Sequence, residues 1–314
     1  DLTVLIGGSG QERISGSALD ENNNIYFEGA TTSLDLPVRN AFQPALAGGE
    51  WDCYIAGLDC KGDSVLFCTY FGGSKYDYMY ISGTRTESII ANSRIYSETG
   101  MLILGGNTFS SDLPIRGSTI QTQYKIRAGM WHRVAINGFI ALFSTDGILK
   151  KSTYLGGPGG IRLHAHAIDK RGNIYVTGGV FEDTIWFITP GVVQPILNYT
   201  VKDTSNHNEN EIANIVAKLS PDLSRIEYAT YLFAVSGRNA KSGSCLLSID
   251  QKENLIITGV HESYQGWEFI PMKNAIQNAA PGDGAGRQYG FITKLNATAT
   301  DYVYSTWFAG TYGW

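Results

Sequence analysis

The sequence predicts an all-β protein built from tandem repeats, and three observations lead to this expectation. Among 314 residues there are 37 Gly and 12% aromatic side chains but only 17% charged residues, which is typical of short strands joined by tight turns. A phrase of β-branched and aromatic residues that ends in a glycine turn recurs along the chain. A second pattern, an apolar run with an Asp/Asn turn and an alternating strand, recurs between its copies.

The glycine phrase predicts the outer strand of each repeat and the turn that leads into the next one. Its copies are TYFGGSKY (69–76), TYLGGPGG (153–160), TYLFAVSG (230–237) and TWFAGTYG (306–313), with an echo, TVLIGGSG, at 3–10. We expect glycine at this turn because the chain reverses tightly beside a neighbouring sheet.

The second pattern predicts a hairpin, because Asp and Asn side chains bond nearby backbone and tolerate a left-handed φ. Its copies are ALDENNNIYFEG (18–29), AIDKRGNIYVTG (167–178) and SIDQKENLIITG (248–259), with a degenerate form, RIYSETGMLILGG, at 94–106. In the degenerate copy Tyr96 stands at the Asp position. The closing glycines recur about every 76 residues, which sets the period of the repeat.

A proline-containing loop and a third strand complete each repeat. Proline keeps segments such as DLPVRNAFQ (35–43) and IPMKNAIQ (270–277) out of a central strand. The third strands are expected at CYIAGL (53–58), GFIALF (138–143), NIVAKL (214–219) and GFITKL (290–295). Each repeat is therefore predicted to be a meander of four antiparallel strands.

Such a meander exposes two faces and two edges, so it must stack on its neighbours. Tandem four-stranded units are the sequence pattern of a β-propeller. The fold class predicted is a propeller of four-stranded antiparallel blades, with four full repeats and one extra outer strand at the N-terminus. The expected divisions are 1–10 for the orphan strand and 11–73, 74–157, 158–234 and 235–314 for the four blades.

The combination of TYLGG, AIDKRGNIYVTG, TPGVVQ, NIVAKLSPD and YATYL closely resembles the SBBP repeat family of bacterial and archaeal β-propeller proteins. The resemblance covers essentially the whole chain, although the copy of the glycine phrase at 230–237 departs to FAVSG and some loops are longer. The resemblance implies a propeller that is secreted or exposed on a cell surface. It implies no catalytic residues, since the shared motif consists of turn and core positions.

Both ends of the sequence carry an outer strand, so simple closure of four blades leaves one copy over. Three explanations remain open. The first is that the chain is part of a longer protein, which a start at Asp1 rather than Met also allows. The second is an open arc whose residues 2–7 augment a sheet of a neighbouring subunit. The third is a small propeller that tolerates a redundant strand.

The charge of the chain argues against nucleic-acid binding, and its hydropathy argues against a membrane span. A net charge of −5 and a pI near 5.6 argue against a nucleic-acid binder, which needs basic surface. No apolar run approaches the roughly 18–20 residues that span a bilayer, so no membrane span is expected.

His164 and His166 are the best local candidates for chemistry. They lie two apart in a predicted innermost strand, which places both side chains on one face, toward a central channel. Two imidazoles can bind a metal or serve as acid and base. Since no third ligand is visible, no metal is assigned, and a hydrogen-bonded structural pair is the competing interpretation.

Other candidates are weaker. Trp186 and Trp267 fall in the loops before the prolines, where they would form a glycan-binding rim or pack between blades. Asn198 and Asn296 match the N-glycosylation sequon. The acidic loop at 203–211 is compatible with calcium, but the pattern favours a solvated loop and no cofactor is expected.

The cysteines leave the redox compartment open. Cys53 and Cys68 flank a predicted turn and could form a disulfide across a hairpin, or remain free thiols packed as small hydrophobic side chains.

The sequence therefore favours a non-enzymatic, secreted or cell-surface propeller that serves as a structural or adhesive module and binds surface proteins or glycans through its loops. Two alternatives stay open. One is a subunit of an extracellular filament or appendage joined head to tail through residues 2–7. The other is a propeller lyase or hydrolase that uses His164 and His166.

Overall fold

The strands in the described part of the chain form four antiparallel sheets of four strands each, and the strand order in every sheet follows the chain. The computed structural model describes residues 5–78, 96–128, 135–181, 187–196, 213–234, 246–263, 270–279, 287–308 and 310. Within these ranges every regular element is a strand and none is a helix. The all-β class and the four-stranded repeat are thus confirmed.

The strand bounds follow the predicted repeat. The first sheet contains β1 (Glu12–Leu19), β2 (Ile25–Thr31), β3 (Asp52–Leu58) and β4 (Val65–Phe71). The second contains β5 (Asp77–Tyr78), β6 (Met101–Thr108), β7 (Asn137–Ser144) and β8 (Leu149–Leu155). The third contains β9 (Ile161–Ile168), β10 (Ile174–Val180), β11 (Ala213–Leu219) and β12 (Ile226–Ala234). The fourth contains β13 (Leu246–Ile249), β14 (Leu255–Ser263), β15 (Arg287–Leu295) and β16 (Tyr302–Phe308).

The Asp/Asn turn joins the first two strands of three sheets through the same hydrogen bonds. Asp169 Oδ1 accepts from the backbone N–H of Arg171 and Asn173, and Oδ2 accepts from the Asn173 side chain at 2.8 Å. Asp20 and Asp250 make the equivalent bonds. The left-handed φ falls one residue before the Asn, and this position holds Asn23, Gly172 and Glu253.

In the second sheet Ser97 holds the Asp position of the turn, so the placement of Tyr96 at this position from the sequence was wrong by one residue. The N–H of Ser97 donates to the carbonyl of Met101, as the N–H of Asp20 donates to that of Asn24. Tyr96 instead pairs with Leu102 in an isolated bridge, one residue earlier in the turn. The serine hydroxyl accepts from the Met101 N–H and so replaces part of the carboxylate's role.

A Gln–Thr contact fixes the loop between the second and third strands to the outer strand of the same sheet. The N–H of Gln121 donates to Thr153 Oγ1 at 2.9 Å, and the N–H of Tyr154 donates to the Gln121 carbonyl. The other three sheets repeat the contact with the pairs Gln43–Thr69, Gln194–Thr230 and Gln277–Thr306. The proline-containing loops are therefore held against an edge that would otherwise be open.

The glycine pair after the outer strand is required by close approach. A Cβ on Gly72 would overlap the Asp52 carboxylate, and one on Gly73 would lie 2.5 Å from the Ser110 Cβ of the second sheet. Neither glycine has a positive φ. The chain therefore passes so near its own sheet and the next one that no side chain fits.

The sheets stack in chain order. One hydrophobic cluster joins the first three sheets and includes Phe71, Phe139 and Leu163, and a second joins the third and fourth sheets. The first strand of the third sheet, β9, contacts β6 and β7 on one side and β13 on the other. Among the strands that the structure describes, no comparable contact links the fourth sheet to the first.

The N-terminal segment packs on the first sheet like a connection from a preceding sheet. Ser9 donates from its backbone N–H and its hydroxyl to Asp35, as Ser74 does to Asp112 of the second sheet. Within the expected orphan strand, residues 1–4 lie outside the described part of the chain, and residues 5–10 belong to no strand.

Candidate functional site

His164 and His166 both lie on β9 and both are buried. β9 is covered on its two faces because it is the inner strand that contacts the second and the fourth sheet. The apolar residues around the two imidazoles, such as Leu163 and Ala165, belong to the two hydrophobic clusters that join these sheets. The histidines therefore sit in the packed region between sheets.

His166 meets a carboxylate from a different sheet. Its Nε2 lies 2.9 Å from Oε1 of Glu28 on β2, and both side chains are almost fully buried. Gly105 on β6 makes room for the ring, because a Cβ at this position would lie 2.6 Å from Nδ1 of His166. The first, second and third sheets thus meet at one point, with a buried imidazole–carboxylate contact beside a glycine.

An imidazole next to a carboxylate is the chemistry of a general base and its orienting group. Here both partners are enclosed, with a relative side-chain exposure of 4% for His166 and 0% for Glu28. Removal of one partner from such a buried contact leaves the other polar group unpaired away from water, which is costly to the fold. The arrangement therefore suits a link between sheets better than a site that substrate must reach.

Sequence reasoning missed Glu28 and Gly105. A signal for Glu28 was present, since the strand IYFEGAT carries a charge where the equivalent strands carry Thr177 and Thr258. Nothing local could indicate that this charge reaches a histidine two sheets away.

A β-bulge lies at His164. Leu163 pairs with Gly178 and Ala165 pairs with Thr177, so the register passes over His164. The bulge interrupts the strict alternation from which the same-face prediction for His164 and His166 was made. The structure places only His166 against Glu28.

A second group of buried acids lies where the first sheet meets the second. Burial, together with a smaller effect of the nearby Asp77, raises the pKa of Asp52 to about 7. Burial also raises the pKa of Asp77 to about 6, against hydrogen bonds from Gly73, Thr108 and Ser110. Ala47 donates its N–H to Asp52 Oδ2 at 2.7 Å. Both carboxyl groups are inaccessible to solvent.

The cysteine pair is not bridged in the structure. Cys53 and Cys68 are both free and buried, and Cys60 is free and exposed. Cys53 lies opposite Phe71 and packs in the cluster shared with the second sheet, whereas Cys68 lies opposite Ala56 and packs in a separate cluster of the first sheet. The two thiols point to opposite faces of the sheet, which is why the disulfide does not form.

Most of the remaining candidates fall outside the described residues: Trp186, Trp267, Asn198 and the loop at 203–211. Asn296 is described and begins the turn between β15 and β16. Its Oδ1 accepts from the Thr300 N–H at 2.9 Å, and its Nδ2 donates to Thr300 Oγ1 at 2.8 Å. Within the ranges that the structure describes, no three His, Cys, Asp or Glu side chains are grouped to hold a metal ion.

Comparison with known proteins assigns no family to the chain. No protein-family model matches it, and no significant match to a curated protein was found. Among the described residues, none belongs to a helix long and apolar enough to cross a bilayer.

Proposed function

We propose that the chain is an arc of β-propeller blades that serves as a non-enzymatic structural or adhesive module at the cell surface or outside the cell. The stacking of four-stranded meanders in chain order, with β9 against both neighbouring sheets, supports the propeller arrangement. The SBBP-like repeat supports the extracellular setting.

The observation that carries the non-enzymatic role is the burial of the Glu28–His166 pair. The pair lies between three sheets beside Gly105, and both side chains are almost fully enclosed. A glycan or protein partner would instead meet the loops between the second and third strands. These loops share one end of the sheets, because the short turns occupy the other end of each antiparallel meander.

The loop end presents isolated apolar side chains to solvent. Leu34 in the loop after β2 and Ile196 in the loop after β10 are both exposed, although each adjoins a well-packed loop. Exposed apolar residues in a polar rim are a common feature of binding surfaces. They define the expected contact area of the adhesive role.

The test is binding to arrays of glycans and of cell-surface proteins. We expect at least one ligand to bind the native chain and to be weakened about tenfold or more by Leu34→Asp with Ile196→Asp. Ile148→Asp, an exposed isoleucine at the turn end, is the matched control and should leave binding unchanged. Absence of any bound ligand, or equal loss with the control, overturns the adhesive role.

The enzymatic alternative is tested by His166→Gln and Glu28→Gln. If the pair is structural, each variant lowers the free energy of unfolding by about 3–5 kcal/mol, the usual cost of leaving one buried partner unpaired. Array binding at a temperature where the variants remain folded should persist. A lyase or hydrolase activity of the native chain that both folded variants lose would establish the alternative.

A further inference from the structure

We propose that the outer faces of the fourth and first sheets are two halves of one junction, through which a second copy of this chain docks head to tail. The tail face is defined by Ile276, Ile292, Lys294 and Phe308 of the fourth sheet. The head face is defined by Ile14, Leu19 and the turn at 59–64 of the first sheet. The proposal rests on how the internal sheets meet and is independent of any ligand at the loops.

The first component of every internal junction is the residue two positions after the Thr of the outer strand. Phe71, Leu155 and Leu232 hold this position in the first three sheets and are fully buried beneath the next sheet. Phe71, for example, packs on Phe139 of the second sheet with ring centroids 5.3 Å apart. Phe308 holds the position in the fourth sheet and is 72% exposed.

The second component, present at the second and third internal junctions, is the residue before the Gln of the loop. The N–H of Ile120 donates to the Leu223 carbonyl of the third sheet at 2.9 Å, and the N–H of Val193 donates to the Ala299 carbonyl of the fourth sheet at 2.8 Å. Each acceptor sits in the turn between the last two strands of the following sheet. Ile276 holds the donor position in the fourth sheet and is 86% exposed.

The head face supplies the matching acceptor. Leu223 and Ala299 are the left-handed residues of their turns. Gly62 is the left-handed residue of the turn after β3, with φ 67°, and its N–H donates to the Asp59 carbonyl just as that of Leu223 donates to Ser220. A second copy would therefore receive the Ile276 N–H at the Gly62 carbonyl.

The inner strand of the first sheet is uncovered in the corresponding way. β1 and β9 have the same length and carry their bulge at the same place. Leu163 and Ile168 of β9 are buried against the second sheet, whereas Ile14 and Leu19 at the equivalent positions of β1 are 60% and 57% exposed. These side chains are buried where a preceding sheet is present.

Charge on the two faces is complementary. Between the third and fourth sheets, Lys218 and Arg171 both contact Glu253, with Lys218 Nζ 3.1 Å from the carboxylate. The fourth sheet carries Lys252 at the Arg171 position and Lys294 at the Lys218 position, where Lys294 Nζ lies 2.6 Å from Asp250 of its own sheet. The turns of the head face carry the acidic residues Glu21, Asp59 and Asp63. Opposite charge favours docking of tail on head over docking of two like faces.

The N-terminal segment competes for the head face. Ile6 stands one residue before its glycine pair, as Phe71 does, and it packs against the hydrophobic cluster of the first sheet. It thus occupies the place that Phe308 of a second copy would take. Association requires this segment to move, so weakening its packing should strengthen association.

Light scattering after size-exclusion chromatography tests the proposal on the full chain. We expect open-ended oligomers whose mean mass grows with protein concentration, since a head-to-tail contact does not close on itself. Phe308→Asp and Ile276→Asp should each give monomers, and Ile6→Gly should shift growth to about tenfold lower concentration. Ile196→Asp is the matched control, because Ile196 is an exposed isoleucine in the loop after β10 of the third sheet, and this variant should behave as the native chain.

Mixing separates head-to-tail contact from a symmetric dimer. Ile14→Asp blocks the head and Phe308→Asp blocks the tail, so each variant alone should be monomeric, and an equimolar mixture should give dimers that contain one copy of each. Circular dichroism confirms that both variants fold. A native chain that stays monomeric at all concentrations overturns the proposal, as do oligomers of the Phe308→Asp variant or a mixture that remains monomeric.

Discussion

Asp52 shows how one buried residue makes the fold sensitive to pH. Its carboxyl group lies against Gly72, accepts from the Ala47 N–H and has its pKa raised to about 7 by burial. The second sheet places Asn137 at the same position, where its amide bonds Lys125 and Gln121 without a charge. The first sheet thus has an ionisable carboxyl group at a position where the second sheet has a neutral amide.

Asp52→Asn should stabilise the protein at pH 8. From pH 4 to 7 the unfolded chain releases the Asp52 proton while the folded chain keeps it, so native stability falls over this window and levels off above it. Each pKa unit is worth about 1.4 kcal/mol, and we expect a gain on the order of 2 kcal/mol for the variant at pH 8. Urea unfolding at several pH values measures it.

The same titration contains its own control. The stability difference between Asp52→Asn and the native chain should shrink as the pH falls from 8 to 4, because the folded chain is protonated at Asp52 below its raised pKa and the unfolded chain approaches its own, lower pKa. A difference that is constant from pH 4 to 8 would show that ionisation of Asp52 contributes nothing.

The hairpin turn is the element that gives the repeat its regularity. In the third sheet it depends on one side chain, since Asp169 accepts three hydrogen bonds from Arg171 and Asn173 and is itself buried. The neighbouring turn between β7 and β8 also contains an aspartate, Asp146, but this one is exposed to solvent and accepts from the Ser144 hydroxyl.

Asp169→Ala should therefore lower the free energy of unfolding by about 3 kcal/mol, because hydrogen bonds to a charged group are worth about 1.5–3 kcal/mol and buried N–H groups lose their acceptor. Asp146→Ala is the matched turn variant and should change stability by less than about 0.5 kcal/mol. Chemical denaturation of both variants provides the comparison. Equal losses of unfolding free energy in the two variants would mean that the two turns contribute equally to stability.

The strands could be predicted from the sequence because each is specified locally, by an alternating apolar run and by turn residues such as Asp169 and Asn173 that recur at fixed offsets. In the second repeat the prediction of the turn was wrong by one residue, because Ser97 replaces the Asp and Tyr96 was aligned to its position. Contacts between sheets were beyond local rules. Glu28 and His166 belong to different repeats, and only the stacking of three sheets brings them together.

At the scale of the whole molecule, burial is uneven along the stack. β7 and β11, the third strands of the second and third sheets, are buried along nearly their full length and have a sheet on each face. β3 of the first sheet is equally buried, with Ile6 of the N-terminal segment packed against its cluster. β15 is the third strand of the fourth sheet, and its described side chains from Tyr289 to Leu295 alternate between buried and half-buried. All three strands are hydrogen-bonded to a neighbour on either side, so the difference lies in packing alone.

Amide hydrogen exchange should therefore be slower in β7 and β11 than in β15, by about tenfold or more for amides at equivalent register positions, because local opening of the fourth sheet exposes less new apolar surface. The measurement is made on the Phe308→Asp variant, in which the tail face cannot be covered by a second copy. In the native chain at high concentration, docking of a head face would bury Ile292 and slow exchange in β15 selectively. If β15 exchanges as slowly as β7 in the monomer, the four sheets open as one cooperative unit and the uneven burial has no energetic consequence.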